Sequence, residues 1–145
     1  MNYGDGIVDN ERLGLNGFIY YIIGGGNLGD PSNANEHFNY LNGIWLDSTH
    51  VKFGGMAHSL SPEAISYGLI DCKYMFPGDS DPLSWNTDGV FVANNWDEIN
   101  SANPAGDRRG IGCTGNFGFE SGSMEELEIA YVFAADYVNL NIQDA

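Results

Sequence analysis

The apolar stretches of this chain are short, and most of them end at glycine, proline, asparagine or aspartate. The longest, FIYYII at residues 18–23, is followed directly by three glycines. Glycine occurs 20 times in the 145 residues, and glycine, asparagine and aspartate supply the positive-φ positions that tight turns require. The pattern therefore predicts frequent turns and short strands. No stretch has the roughly 20 apolar residues of a membrane-spanning helix, so we expect no membrane insertion.

The excess of acidic residues narrows the classes of partner. Twenty acidic residues against five basic ones give a formal net charge of -15. A surface of this sign repels phosphate backbones and anionic lipid headgroups, so nucleic acid is not an expected partner. The hydrophobic fraction of 43% is too high for a disordered chain. We therefore expect one folded domain over residues 1–145, whose acidic surface either suits divalent cations or simply maintains solubility.

The spacing of the apolar residues predicts a mainly β domain, similar to a β-sandwich, with one short helix and long loops. The helix is expected at residues 34–42, where apolar residues recur at helical spacing. The segments GIWLD and THVKFGG are expected to form a hairpin. Strands are expected at residues 17–23, 65–79 and 124–137, the last of which has a clear period of two.

The opening of the chain, MNYGDGIVDNERLG, resembles part of a calcium-binding loop. If Gly6 takes the place of the obligatory glycine of such a loop, then Asp5, the carbonyl of Ile7 and Asp9 fall on ligand positions. Three other ligand positions carry Met, Tyr and Arg, and Glu11 would have to complete a differently wrapped shell. We predict a calcium site made by Asp5, Ile7, Asp9 and Glu11. The alternative is a turn followed by the start of a helix.

A second pair of carboxylates lies in the segment PGDSDP at residues 77–82. Asp79 and Asp81 are two residues apart, so in an extended segment they lie on the same side and can hold a cation between them. Aspartate side chains also cap turns by bonding the backbone a few residues downstream. The pair is therefore a second candidate metal site, with turn capping as the alternative.

The long connection between residues 78 and 110 is the expected ligand-binding region. Loops of this length are uncommon in compact domains unless they bind something or are held by a cross-link. Trp85 and Trp96 lie in it, and exposed tryptophans stack on sugar rings. We predict that both residues contribute to a glycan-binding surface. The alternative is a tryptophan that fills the end of a sandwich core.

No catalytic residue is predicted. The sequence contains no nucleophile elbow, phosphate loop or dinucleotide fingerprint. His37, His50 and His58 do not follow the spacing of a zinc site. Asp79 and Glu98 would form a glycosidase pair only if the fold brought their carboxyl groups roughly 5 to 9 Å apart. Two of the five basic residues, Arg108 and Arg109, are expected to pair with acidic neighbours.

Five segments spread along nearly the whole chain carry a family resemblance. In order they are YGDGIVDNERLG, NANEHFNYLNGIW, YMFPGDSDP, PAGDRRG and TGNFGFESGSMEELEIAYVFA. Together they resemble a region of large proteins exported by the type IX secretion system, where it precedes the C-terminal sorting domain. The resemblance implies a secreted or bacterial cell-surface location. It also implies that the chain is a fragment of a longer protein, with the other domains of that protein as partners.

The two cysteines, Cys72 and Cys113, are compatible by themselves with a disulfide, with two buried thiols or with half a metal site. The exported context implied by the resemblance favours a disulfide between them. The whole sequence then predicts a non-catalytic extracellular or cell-surface interaction or structural module, stabilised by calcium. The alternative is a carbohydrate-binding module, or an accessory domain of a secreted enzyme that acts on polysaccharides.

Overall fold

The computed structural model describes residues 16–24, 26–93, 95–101, 103–115, 118, 120–124 and 129. Two strands and two short α-helices follow one another in the order β1 (Gly17–Ile22), α1 (Ala34–Leu41), α2 (Pro62–Ser66) and β2 (Arg108–Cys113). Two single 3-10 turns lie at Gly26–Leu28 and Trp85–Thr87. Most of the described chain therefore runs in turns and irregular connections, as its glycine and asparagine content predicts.

The two strands form an antiparallel sheet, in which Gly17 pairs with Cys113 and Ile22 with Arg108. The alternation of β1 buries Ile19 and Tyr21 and leaves the intervening residues partly exposed. This confirms the predicted first strand, and the period of two explains which side chains enter the core. On its other side β1 meets the chain at Tyr74: the Phe18 N–H donates to the Lys73 carbonyl at 3.2 Å, and the Met75 N–H donates to the Phe18 carbonyl at 3.0 Å.

The core is a cluster of aromatic and aliphatic side chains between the sheet and the connections. Trp45 lies at its centre, fully buried, and its Nε1 donates to the Ala57 carbonyl at 2.8 Å. Tyr40 is also buried, and its hydroxyl donates to the Gly29 carbonyl at 2.6 Å. Each polar tip thus has the partner that a buried tryptophan or tyrosine needs. The remaining buried members are Ile19, Tyr21, Val51, Phe53, Ala57, Cys72, Met75 and Trp96.

Helix α1 confirms the helix predicted at residues 34–42. The Asn33 side chain accepts a hydrogen bond from the Glu36 N–H at 3.1 Å, and the Glu36 carboxylate accepts from the Ser32 N–H at 2.6 Å. These two bonds satisfy backbone donors around the first turn, as in a capping box. At the other end, the Asn42 side chain donates to the Phe38 carbonyl at 2.7 Å.

Helix α2 was not expected from the sequence. It begins at Pro62, a favoured residue at the first helical position. Its last residues, Ile65 and Ser66, belong to the segment predicted as a strand, so that prediction is wrong there. The rest of that segment contains turns and bends, with positive φ at Leu69 and Phe76, and makes only isolated bridges, from Asp71 to Lys52 and from Tyr74 to Phe18.

The predicted hairpin is present in reduced form. Ile44 and His50 form one antiparallel bridge, and the Trp45 N–H donates to the Thr49 carbonyl at 2.8 Å across the turn. Ser48 lies in this turn with a φ of 67°, a conformation that non-glycine residues adopt rarely.

The described residues thus confirm an antiparallel sheet, a short helix and long loops, while the sandwich itself stays a prediction. The expected strand at 124–137 lies outside the described residues, apart from Met124 and Ile129. Arg109 pairs with Asp30 at 3.2 Å, as expected for a structural arginine. In the part of the chain that the structure covers, no helix has the length and hydropathy needed to cross a membrane.

Candidate functional site

A cleft of about 500 Å³ opens where the first residue of β1 meets the last residue of β2. Segments that are far apart in the sequence line it, including the end of α1, the bridge at His50 and the extended stretch around Cys72. We call it the polar cleft, because many of its lining side chains carry hydrogen-bonding groups. These side chains are Asn16, Asn42, His50, Asp71, Lys73, Asn86 and Asp88.

The two carboxylates of the polar cleft are paired with lysines. The Lys52 ammonium contacts Asp71, and Lys73 Nζ lies 2.5 Å from Asp88 Oδ1. Exposed pairs of this kind contribute little to stability, but they offset the local negative charge. The polar cleft therefore presents amides, an imidazole and paired charges, which suits an uncharged ligand with many hydroxyl groups.

Asn86 fixes one wall of the polar cleft. Its side chain is almost fully buried, at 2% exposure, and accepts from the N–H groups of Lys73 at 2.9 Å and of Tyr74 at 2.8 Å. Its Nδ2 donates to the Tyr74 carbonyl at 2.9 Å. A buried amide with this many bonds locks the turn that carries it to the extended segment beside β1.

Asp81 holds the same turn from its other side. Its Oδ1 accepts from the Trp85 N–H at 2.9 Å and its Oδ2 from the Asn86 N–H at 2.8 Å. Both carboxylate oxygens that Asp81 would contribute to the predicted second metal site therefore already accept backbone hydrogen bonds. Asp79, the other half of that pair, is exposed. The geometry matches the alternative weighed for these residues, in which aspartate caps a turn.

Trp85 stands on this turn with its side chain in solvent. The residue is 70% exposed, whereas its backbone is held by Asp81 and by Lys73 Nζ, which donates to the Trp85 carbonyl at 3.1 Å. Trp85 itself does not line the polar cleft, but two of its neighbours do: Lys73, which is bonded to its carbonyl, and Asn86, the residue that follows it. The backbone of Trp85 therefore lies at the rim of the cleft. An exposed tryptophan on a well-bonded turn is ready to stack on a ligand at little cost in ordering.

Trp96 is a core residue, so the prediction of a surface shared by Trp85 and Trp96 is wrong for Trp96. Its ring is 2% exposed and its centroid lies 4.9 Å from that of Phe53. Its Nε1 donates to the Gly55 carbonyl at 3.2 Å. Gly55 has a φ of 56°, and a Cβ there would lie 2.3 Å from Ser61 Oγ, so glycine is required at this contact.

Cys72 and Cys113 both line the polar cleft but are unbonded thiols, which contradicts the predicted disulfide. The Cys72 side chain packs into the hydrophobic core, where burial raises its pKa. The sulfur of Cys113 instead accepts from the Gly115 N–H at 3.2 Å. The first thiol therefore belongs to the core and the second to the turn after β2.

The three histidines have different surroundings. His37 is exposed on α1, and His50 lines the polar cleft. His58 is buried, with Nε2 2.9 Å from Asp47 Oδ2 and with Nδ1 accepting from the Leu60 N–H at 3.2 Å. Since both ring nitrogens of His58 have internal partners, this residue has a structural role.

The predicted calcium ligands Asp5, Ile7, Asp9 and Glu11 lie outside the described residues. Elsewhere, within the ranges that the structure describes, no three His, Cys, Asp or Glu side chains are grouped in a way that could hold a metal ion. Calcium binding by the opening of the chain therefore stays a prediction.

The residues of the polar cleft were only partly indicated by the sequence. Cys72 and Cys113 were singled out for their chemistry, whereas His50, Asp71 and Lys73 were not placed at any site. One signal was available: Lys52 and Lys73 are two of only five basic residues in a strongly acidic chain, and both pair with carboxylates that border the cleft.

Comparison with known proteins adds no relative to this picture. A functional proposal therefore rests on two things: the geometry of the polar cleft and of Trp85, and the resemblance carried by the sequence segments. No family model, no curated protein and no solved structure matches this chain.

Proposed function

We propose that this domain is a non-catalytic binding module of a secreted or cell-surface protein, and that its polar cleft binds a neutral saccharide. The observation that carries the proposal is the exposed ring of Trp85 at the rim of a cleft lined by amides and charge-paired carboxylates. Sugars are recognised by this combination, because their C–H faces stack on aromatic rings while their hydroxyls bond to polar side chains.

The charge of the protein supports a neutral ligand rather than an anionic one. The net charge of -15 repels acidic polysaccharides at long range. Near the polar cleft, Lys73 is already engaged by Asp88 and by the Trp85 carbonyl, so it is poorly placed to attract an anion. Hydroxyl groups can both donate to Asp71 and Asp88 and accept from Asn42 or His50 without displacing a counter-charge.

The resemblance to the region before the sorting domain of exported proteins supports the proposed location. In this proposal the domain acts as an interaction module beside the other domains of its parent chain. Calcium at Asp5, Ile7, Asp9 and Glu11 would stabilise the N-terminal segment, and extracellular modules bind this ion with dissociation constants of about 0.1 to 1 mM.

The test uses the difference in exposure among the three tryptophans. Trp45 and Trp96 are buried, at 0% and 2% exposure, so acrylamide quenching of tryptophan fluorescence reports mainly on Trp85. We expect one of a panel of neutral hexasaccharides, namely cello-, xylo-, manno-, laminari- and chitohexaose, to protect this fluorescence from quenching. Isothermal titration calorimetry with the same sugar gives the dissociation constant.

Two variants separate stacking on Trp85 from unspecific contact. Trp85→Ala should weaken binding at least about tenfold, because truncating an aromatic anchor commonly costs over about 1.4 kcal/mol. Phe91→Ala is the matched control, since Phe91 is 76% exposed in the same connection, and neither Phe91 nor the residue on either side of it lines the polar cleft. Equal losses in both variants, or no protection by any sugar of the panel, would refute saccharide binding at this cleft.

A further inference from the structure

A second cleft, of about 370 Å³, lies between α2 and the 3-10 turn at Gly26–Leu28. Its lining is mostly hydrocarbon and thioether, from Leu28, Met56, Leu60 and Pro62. We call it the apolar cleft. Its size lies within the range of small-molecule sites, which are usually concave and apolar with a few well-placed polar groups.

The polar side chains of the apolar cleft are nearly all bonded within the protein. His58 is held by Asp47 and by the Leu60 N–H, Ser61 Oγ donates to Glu63 Oε2 at 2.9 Å, and Ser101 donates to the Asp97 carbonyl. Asn27 donates to Asp47 Oδ2 at 3.2 Å. These groups shape the cleft and have little bonding capacity left for a ligand.

Asn103 is different. Within the described ranges, its Oδ1 is the one buried side-chain oxygen or nitrogen that has no hydrogen-bond partner. Leaving a buried acceptor unpaired is costly, so native structures seldom keep one. Turning this oxygen towards the apolar cleft breaks no hydrogen bond of its own, and a donor on a ligand would then regain the lost energy.

A water molecule is a poor substitute for such a ligand. Asn103 also borders a cavity of about 10 Å³, which is at the lower limit for holding one water. A buried water needs two to four polar partners; besides Asn103, the side chains of Tyr20, Tyr21 and Arg108 border this cavity, and the rest of its lining is mostly apolar. At its size this cavity holds one water at most, whereas the apolar cleft has room for a larger ligand that donates to the unpaired oxygen.

The charge at the cleft decides which donor fits. Glu63 lines the cleft and is exposed, with one hydrogen bond to Ser61 from within the protein. Among the residues that the structure describes, no lysine or arginine lines the cleft to offset this carboxylate. A cationic donor thus gains both from Glu63 and from the net charge of the chain, whereas an anionic ligand is repelled by both.

We propose that the apolar cleft is a second binding site, for a small ligand that has an apolar body and a protonated amine. The amine donates to Asn103 Oδ1 and pairs with the Glu63 carboxylate, and the apolar body covers Leu28, Met56 and Leu60. This site is separate from the polar cleft and does not depend on saccharide binding there.

Three probes of nearly equal shape test the proposal: 2-naphthylmethylamine, 2-naphthalenemethanol and 2-naphthoate. Binding is followed by ¹H–¹⁵N correlation spectra of the whole chain in 150 mM salt, which screens the long-range field of the protein. We expect the amine to shift the amide signals of Leu60, Ser61 and Asn103. It should bind about three- to tenfold more tightly than the alcohol, and the difference in affinity between the amine and the carboxylate should be larger still.

Two variants and one control localise the effect. Glu63→Gln should remove most of the preference for the amine over the alcohol, and Asn103→Leu should weaken both about three- to tenfold. Glu120→Gln removes the same charge from another exposed residue and should change nothing. Because Glu63 is exposed, its variant stays informative even if Asn103→Leu unfolds the domain. The proposal is overturned if the shifts lie elsewhere, if amine and alcohol bind equally, or if Glu120→Gln acts like Glu63→Gln.

Discussion

Asn86 and Tyr74 are joined by a reciprocal pair of hydrogen bonds: the Asn86 side chain accepts from the Tyr74 N–H at 2.8 Å and donates to the Tyr74 carbonyl at 2.9 Å. The side-chain amide thus makes the pair of hydrogen bonds that the backbone of a neighbouring strand would otherwise make with Tyr74. It also ties the turn carrying Trp85 to the extended chain next to β1. The stability of the fold and the geometry of the proposed sugar site therefore depend on the same side chain.

The first prediction follows from this pair. Asn86→Ala leaves the Tyr74 N–H and carbonyl without their side-chain partner in a buried position, so it should destabilise the domain by about 2–4 kcal/mol. Urea denaturation measures the loss. Asn95→Ala, at an exposed residue of the same connection, is the control and should stay within about 0.5 kcal/mol of the parent. A small effect for Asn86→Ala would show that the turn is held by other contacts.

The second prediction contrasts the two loop tryptophans. Trp96→Ala removes a ring that is 2% exposed in the core and should cost about 3–5 kcal/mol. Trp85→Ala removes a ring that is 70% exposed and should change the free energy of unfolding by less than about 0.5 kcal/mol. Thermal melts of both variants check this. A large destabilisation by Trp85→Ala would mean that its ring packs against the protein, and it would also weaken the saccharide proposal.

The third prediction concerns the response to acid. Burial alone raises the pKa of Asp47, but hydrogen bonds from Thr49 and His58 outweigh it and hold this pKa below the ordinary value of 3.8. A carboxylate with a lowered pKa contributes stability that is complete above its ordinary pKa and is lost as the pH falls through the lowered value. The stability advantage of the parent over Asp47→Asn should therefore shrink as the pH falls below 3.8.

Denaturation at a series of pH values provides the measurement for Asp47. Asp107→Asn serves as the matched control, because Asp107 is an exposed aspartate whose side chain can be neutralised without touching the core. A stability difference between parent and Asp47→Asn that does not change between pH 6 and pH 3 would contradict the prediction.

The fourth prediction distinguishes the two thiols. Burial raises the pKa of Cys72 and shields its sulfur, whereas Cys113 is only half-buried. Since the thiolate is the reactive form, a maleimide should label Cys113 first in the native protein, and Cys72 should react only on unfolding. Peptide mass spectrometry after timed labelling gives both rates. Protein purified under oxidising conditions and denatured without reductant should show two reactive thiols. If neither thiol reacted, the result would support the disulfide predicted from the sequence.

The fifth prediction tests the opening of the chain. If Asp5, Ile7, Asp9 and Glu11 bind calcium, the ion should stabilise the folded domain by about 2.7 kcal/mol at one hundred times its dissociation constant. The melting temperature is compared in calcium, in magnesium and in chelator. Magnesium should substitute poorly because it demands a tight octahedral shell. The double variant with Asp5→Asn and Asp9→Asn should lose the response, and identical melting temperatures of the parent in all three conditions would exclude the site.

Local sequence signals located the elements that depend on local chemistry. Helix α1 was predicted within one residue of its end, because its capping residues and apolar spacing are read within a single segment. Strand β1 was predicted because it is rich in β-branched and aromatic residues and three glycines follow it. Helix α2 was missed, since its five residues are too few to show a period and the β-branched Ile65 favoured a strand.

The site was harder to predict because it depends on contacts between distant segments. Trp85 and Trp96 have similar sequence surroundings, yet one ring is in solvent and the other packs on Phe53, more than 40 residues away. No local pattern separates these outcomes. In the same way, the pairing of Asp71 with Lys52 and of Asp88 with Lys73 is visible only in the folded structure. Asp81 is the exception, because turn capping acts over a few residues and was named as an alternative.

The pairing of β1 with β2 has a consequence for how the chain reaches its native state. The paired residues Gly17 and Cys113 are separated by more than 90 residues in the sequence. The sheet therefore contributes contacts of large sequence separation, which raise the contact order of the fold. Closing so long a loop carries a large entropic cost, and chains that depend on such contacts fold slowly. During synthesis, β1 cannot form its hydrogen bonds to β2 until Cys113 has left the ribosome. A chain ending before Arg108 should therefore keep the local helix α1 at most, and the domain should fold as one late event rather than progressively from its N-terminus.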